Sequence, residues 1–184
     1  INTMAMHIDP QKFGHIIDVY NGQQDLKNGL IKTPLKPLET FSDDPLRMMR
    51  AVRFAGRFNF KIDSETFAAI QEAAPRLEIV SQERITDEFN KILLADKPSV
   101  GLRLLDESGL LSYIMPEFIS TKGVEQKEKY HHKDVFYHTL EVLDNISKYT
   151  GKLELRLAAL LHDIGKPRTK RYAPGSGWSF HGHE

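Results

Sequence analysis

Pro45, Pro75 and Pro98 divide the middle of the chain into helix-length pieces. Proline has no backbone N–H, so it suits the first turn of a helix and ends one elsewhere. Pro45 therefore opens a helix, capped by Asp43 or Ser42, that runs to about Phe58 and ends near Asn59. Asp63 or Ser64 caps the next, SETFAAIQEAA, which Pro75 stops. QERITDEFNKILLA sets Ile85, Phe89, Ile92 and Leu93 on one helical face. Pro98 opens PSVGLRLLDESG, with Gly109 as its C-cap. The expected fold is mainly α.

Two flanking regions complete the plan. In residues 4–32, MAMHI and HIIDV flank the turn-rich DPQKFG, which predicts a small β-hairpin unit. GQQDLKNG reads as a short helix and LIKT as a short strand, before Pro34 and Pro37 break the pattern. Beyond the body, KGVEQKEKYHHK (122–133) is polar and marks a boundary. VFYHTLEVLDNI and LELRLAALLHDI are two amphipathic helices, and APGSGW is a loop or hairpin tip. The expected division is 1–33, 34–120 and 121–184.

Lys plus Arg and Asp plus Glu both number 25, so any nucleic-acid-binding surface must be local. There is no Cys, which excludes a disulfide framework, a zinc knuckle and a thiol nucleophile. No apolar run approaches the roughly 20 residues that span a bilayer. A cytoplasmic protein is expected. The start at Ile1 and the stop at HGHE lead us to expect a piece of a longer protein.

DDPLRMMRAVRF (43–54) carries the chemistry. Asp44, Arg47, Arg50 and Arg53 recur every three residues, so neighbours on a helix sit about 60° apart in a winding ribbon. Met48, Met49, Val52 and Phe54 lie off it and can face a core. The plain reading is a solvated face with Asp44 paired to Arg47. Three arginines against one partner acid repel unless an anion joins them, and a nucleoside triphosphate supplies that charge. Guanidinium groups also suit phosphates and base edges. Adenine and cytosine present an amino donor beside a ring-nitrogen acceptor. A carboxylate next to a guanidinium complements that edge and leaves guanine or uracil with unpaired groups.

INTMAMHIDP, GHIIDVYNGQQDLKNGLIKTP, FSDDPLRMMRAVRFAGRFNF and SQERITDEFNKIL, in that order, resemble the bacterial class II tRNA nucleotidyltransferase and poly(A) polymerase family. The resemblance covers roughly residues 1–118. It implies that Asp44 and Arg47 pair with the base of ATP or CTP, and that Arg50 and Arg53 help bind the nucleotide. Asp43 stands where Glu is more usual. INTMA matches the tail of the family's R-R-D-F-T-x-N-A-x-A motif, so Asn2 is a further candidate nucleotide contact or a turn cap. Glu83, Arg84 and Glu88 match a motif whose expected role is an ion-pair network bracing the template helix. The glycine-rich motif and the carboxylates that hold Mg2+ for nucleotidyl transfer would lie before Ile1. No catalytic residue is therefore expected in this chain, which should be inactive alone.

LLHDIGKP is similar to the HD phosphohydrolase superfamily, with His138 in DVFYHTLEVL as the matching first histidine. This implies a body followed by the first helices of an HD-type all-α domain. Imidazoles and a carboxylate suit a divalent ion such as Mg, Mn or Ni, which can activate water against a phosphoester. The candidate ligands are His138, His162, Asp163 and His183, with His181 a weaker member and Lys166 placed to favour an anionic substrate.

The leading expectation is an enzyme that adds CCA, or part of it, to tRNA 3′ ends. Its partners would be the tRNA acceptor end, ATP and CTP, with neither DNA nor a membrane expected. A poly(A) polymerase, an HD phosphohydrolase with a nucleotide-binding arm, and a non-catalytic RNA-binding remnant are the alternatives.

Overall fold

The structure is a computed structural model that describes residues 3–128, 131–173 and 177–182. Its N-terminal unit is the expected hairpin. β1 (Met4–Met6) runs antiparallel to β2 (Ile16–Asp18), with Met4 opposite Asp18. The Asp18 carboxylate then accepts the N–H groups of Gly22 and Gln23 at 2.7 and 2.8 Å, holding the start of α1 (Gly22–Lys27). Donation from the Gln23 backbone, helped by Gly22, keeps the Asp18 carboxyl below its usual range. β3 (Leu30–Ile31) pairs in parallel with β4 (Lys61–Ile62) and ties this unit to the body.

The segment expected to be broken by Pro37 is instead helical. Pro37 occupies the first turn of α2 (Pro37–Asp43), where its missing N–H costs nothing. Ser42 and Asp43 are the last residues of α2, so neither caps the next helix, α3 (Leu46–Phe58). Asp44 has extended backbone, and its Oδ1 accepts the Leu46 N–H at 3.3 Å. α3 buries Met48, Met49, Val52 and Ala55 and ends at Asn59, whose φ of 54° is left-handed. Asparagine tolerates that conformation better than most residues.

α4 (Ser64–Ala73) is capped by Asp63, which accepts the Thr66 N–H at 3.2 Å. Past Ala73 the chain tightens into a 3-10 turn, Ala74–Ile79. α5 (Gln82–Leu93) buries Ile85, Phe89, Ile92 and Leu93, as their spacing predicts. α6 (Pro98–Glu107) ends at Ser108, followed by Gly109 at φ 77°. Helices α3 and α6 approach closely through two glycines. A Cβ on Gly56 would lie 3.1 Å from the Gly101 nitrogen, and one on Gly101 only 2.6 Å from Ile92 Cγ2. Two short helices, α7 (Leu111–Ile114) and α8 (Pro116–Ile119), close the body.

The polar stretch read as a boundary forms a hairpin, β5 (Glu125–Glu128) against β6 (His131–Asp134). Asp134 caps α9 (Val135–Ser147) by accepting the N–H groups of Phe136 and Tyr137. α10 (Leu153–Leu161) and α11 (Lys166–Thr169) follow, then β7 (Arg171–Ala173) paired with β8 (Gly177–Ser179).

One hydrophobic cluster runs from Ile31 to Leu160, so α9 and α10 share the body's core. Phe118 and Phe136 meet in it with ring centres 4.7 Å apart. Arg156 of α10, 4% exposed, donates to the carbonyls of Leu93 at 2.6 Å and Ala95 at 2.7 Å, and to those of Ser147 and Thr150. It thereby joins the C-terminal ends of α5 and α9, where carbonyl dipoles favour a cation. Among the described residues, no helix is long and apolar enough to cross a membrane.

Candidate functional site

The arginine ribbon is real, but its partners differ from those the spacing suggests. Asp44 pairs with Arg84 of α5, whose Nη2 lies 3.2 Å from both carboxylate oxygens, and not with Arg47. The extended backbone of Asp44 aims its side chain across to α5, which an i,i+3 argument cannot anticipate. Arg47 is exposed and sends Nη1 to the Thr40 carbonyl at 3.3 Å. Arg53 turns inward: its Nε lies 2.7 Å from Glu88 Oε2, with both side chains largely buried. Lys91 also reaches Glu88, at 3.2 Å. Hydrogen bonds from Lys91 to Asp87 and Glu88 hold its ammonium above the usual lysine value.

Two of the expected braces, Arg84 and Glu88, therefore do link α5 to the start and the far end of the ribbon. Glu83 sits exposed in the first turn of α5. Arg47 and Arg50 line a cleft of about 380 Å³ with Thr3, Lys32, Thr33 and Asp43. Asp44 and Arg53 are not part of its wall, and Arg53 faces a separate cleft with Arg57 and Lys91. Asn2 lies outside the described residues. Thr3, Lys32 and Thr33 carried no signal in the sequence. Lys32 and Thr33 reach the cleft at the end of β3, which docks beside β4 through residues 31 positions apart, Leu30 opposite Lys61.

The second group forms where α9 meets the end of α10. His138, His162 and Asp163 each offer a ligand atom, all within 4.8 Å of one another. His162 Nε2 lies 3.1 Å and His138 Nε2 3.8 Å from Asp163 Oδ2. His162 Nδ1 lies 2.7 Å from the Ala159 carbonyl. A carbonyl can only accept, so Nδ1 carries a proton, which turns Nε2 toward the carboxylate. The donor set of two imidazoles and one carboxylate fits a divalent ion. His181 is exposed and does not join the three, while His183 lies outside the described residues.

Comparison with known proteins matches two families. Residues 59–121 match the family described as "Probable RNA and SrmB- binding site of polymerase A", and residues 135–184 match the HD domain. The multifunctional CCA protein of Nitrosococcus oceani is 36% identical over all of this chain and 43% of its own length. That of Pseudomonas fluorescens is 37% identical over all of this chain and 44% of its own. The A-adding tRNA nucleotidyltransferase of Deinococcus radiodurans is 36% identical over 92% of this chain and 40% of its own length.

Among solved structures, a tRNA nucleotidyltransferase complexed with a primer tRNA and an incoming ATP analog superposes with a TM-score of 0.67 at 27% identity. The match covers 86% of this chain and 45% of that one. A CCA-adding enzyme with CTP gives 0.67 at 27% identity, over 88% of this chain and 36% of that one. The chain thus spans less than half the length of the relatives it matches. With residues 59–121 matching the polymerase A RNA-binding family, residues 135–184 matching the HD domain, and relatives at 36–37% identity aligned along the whole of this chain, the chain belongs to the CCA-adding enzyme and poly(A) polymerase family that carries an HD domain.

Proposed function

We propose that the chain is the base-selecting and RNA-gripping part of a nucleotidyltransferase that adds C and A to tRNA 3′ ends. Residues 34–120 serve as the nucleotide- and RNA-binding body, 1–33 as an edge of the nucleotide-binding fold, and 121–184 as the HD unit. The observation that carries the reading is α3 itself. α5 holds Arg53 near the far end of α3 through Glu88 and Asp44 just before its start through Arg84, while Arg47 and Arg50 open onto one cleft.

In this reading Asp44 and Arg47 select the base. The Asp44 carboxylate accepts the base amino group, and Arg47 donates to the ring nitrogen. Leu46 and Arg84 occupy only part of the carboxylate's acceptor capacity, so lone pairs remain for that contact. Arg50 offers a phosphate its guanidinium fork. Arg53 acts through Glu88, fixing the helix rather than reaching the nucleotide. The reaction is attack by a terminal 3′-hydroxyl on the α-phosphate, with release of pyrophosphate. No residue of this chain is assigned to that step, so the isolated chain should bind nucleotide without transferring it. His138, His162 and Asp163 are assigned to a divalent ion, which would supply Lewis acidity for phosphoester hydrolysis.

The test is incorporation of labelled ATP and CTP into tRNA lacking its 3′ CCA, using the full-length protein. Addition of both nucleotides supports the reading. Open-ended addition of A alone would favour a poly(A) polymerase, and no incorporation would remove it.

A further inference from the structure

Asp163 is a carboxylate only 3% exposed, and burial of that kind requires a counter-charge. Lys166 supplies one. Its Nζ lies 2.7 Å from Asp163 Oδ2, the same oxygen that both imidazoles face. The backbone fixes this placement. Lys166 opens α11, and its N–H is accepted by the Asp163 carbonyl at 3.1 Å, so the two side chains leave one tight turn. The ammonium is itself largely buried, with the Phe180 ring centre 5.7 Å away.

We propose that Lys166 is a resident counter-cation whose ammonium holds the Asp163 oxygen that a divalent ion would take. Binding an ion there displaces the Lys166 ammonium from that oxygen. The inference rests on His138, His162 and Asp163 being a metal group. Lys166 then does two things. It keeps the buried carboxylate satisfied before loading, and it weakens the hold on the ion, because a charge in contact opposes a second cation. Once displaced, its ammonium stands beside the ion, where a phosphoester's negative oxygens would lie.

The test uses the full chain with Mn2+ as the probe, followed by calorimetry. Lys166→Gln and Lys166→Met remove the charge and should bind Mn2+ at least about tenfold more tightly than the wild type. Lys166→Arg keeps the charge and should stay near wild type. A second measurement needs no substitution. Acylation of Lys166 by an amine reagent, read by mass spectrometry, should speed up when Mn2+ saturates the wild-type chain. Unchanged or weaker Mn2+ binding in folded Lys166→Gln, or no change in acylation rate, overturns the role of Lys166 while leaving the metal group standing. Absence of Mn2+ binding in wild type and variants alike overturns both.

Discussion

Glu88 is 5% exposed and holds two cations, Arg53 and Lys91. Removing one partner from a buried pair leaves the other charge without compensation. Glu88→Ala should therefore lower stability by about 3 kcal/mol, read as an earlier urea midpoint. The Arg84 and Asp44 pair is more exposed, and such pairs contribute under about 1 kcal/mol. Arg84→Ala should leave the midpoint nearly unchanged yet free the Asp44 carboxylate to swing. The expected result is looser discrimination between CTP and UTP in single-turnover assays of the full-length protein. Substitutions at two residues on one helix should thus separate stability from selection. The family motif that both match in the sequence implied the bracing role. Which acid met which base was not legible, since Asp44 leaves the helical register before α3 begins.

At the level of elements, the helices with strong periodicity were legible. α5 and α6 follow from apolar spacing and proline position, and α3 from both together. α2 was not, because a proline that ends one element can equally open another. The two-residue strands β3 and β4 carry too little pattern to declare themselves, and only the folded body brings them together. The hairpin β5–β6 hid in a polar stretch with few apolar anchors. Gly56 lets α3 approach α6 at Gly101, and Gly101 in turn lets α6 pack on Ile92 of α5, which yields a direct prediction. Gly101→Ala would place a methyl 2.6 Å from Ile92 Cγ2, so Ile92 or the helix must shift. Overpacking of this kind should cost about 1–3 kcal/mol and appear as a lower melting temperature.

Over the whole molecule, α5 is the shared member. One face braces α3, and its C-terminal carbonyls accept the buried guanidinium of Arg156 from α10. α10 leads into His162 and Asp163, so the helices that carry the His-Asp group and the arginine ribbon pack on one continuous hydrophobic core. The HD signature marked two histidines and an aspartate that the fold does bring together. Replacing His162 with Ala should reduce divalent-ion binding to the full chain without moving ATP affinity, since the two sites use separate residues. Competition among the four nucleotides reads base selection by Asp44 and Arg47 without relying on any other step. In the full-length protein, Arg47→Ala should narrow the preference for ATP and CTP over GTP and UTP by at least about tenfold, the scale of one lost specific hydrogen-bonding partner. Unchanged rejection of GTP and UTP by that variant would contradict the account.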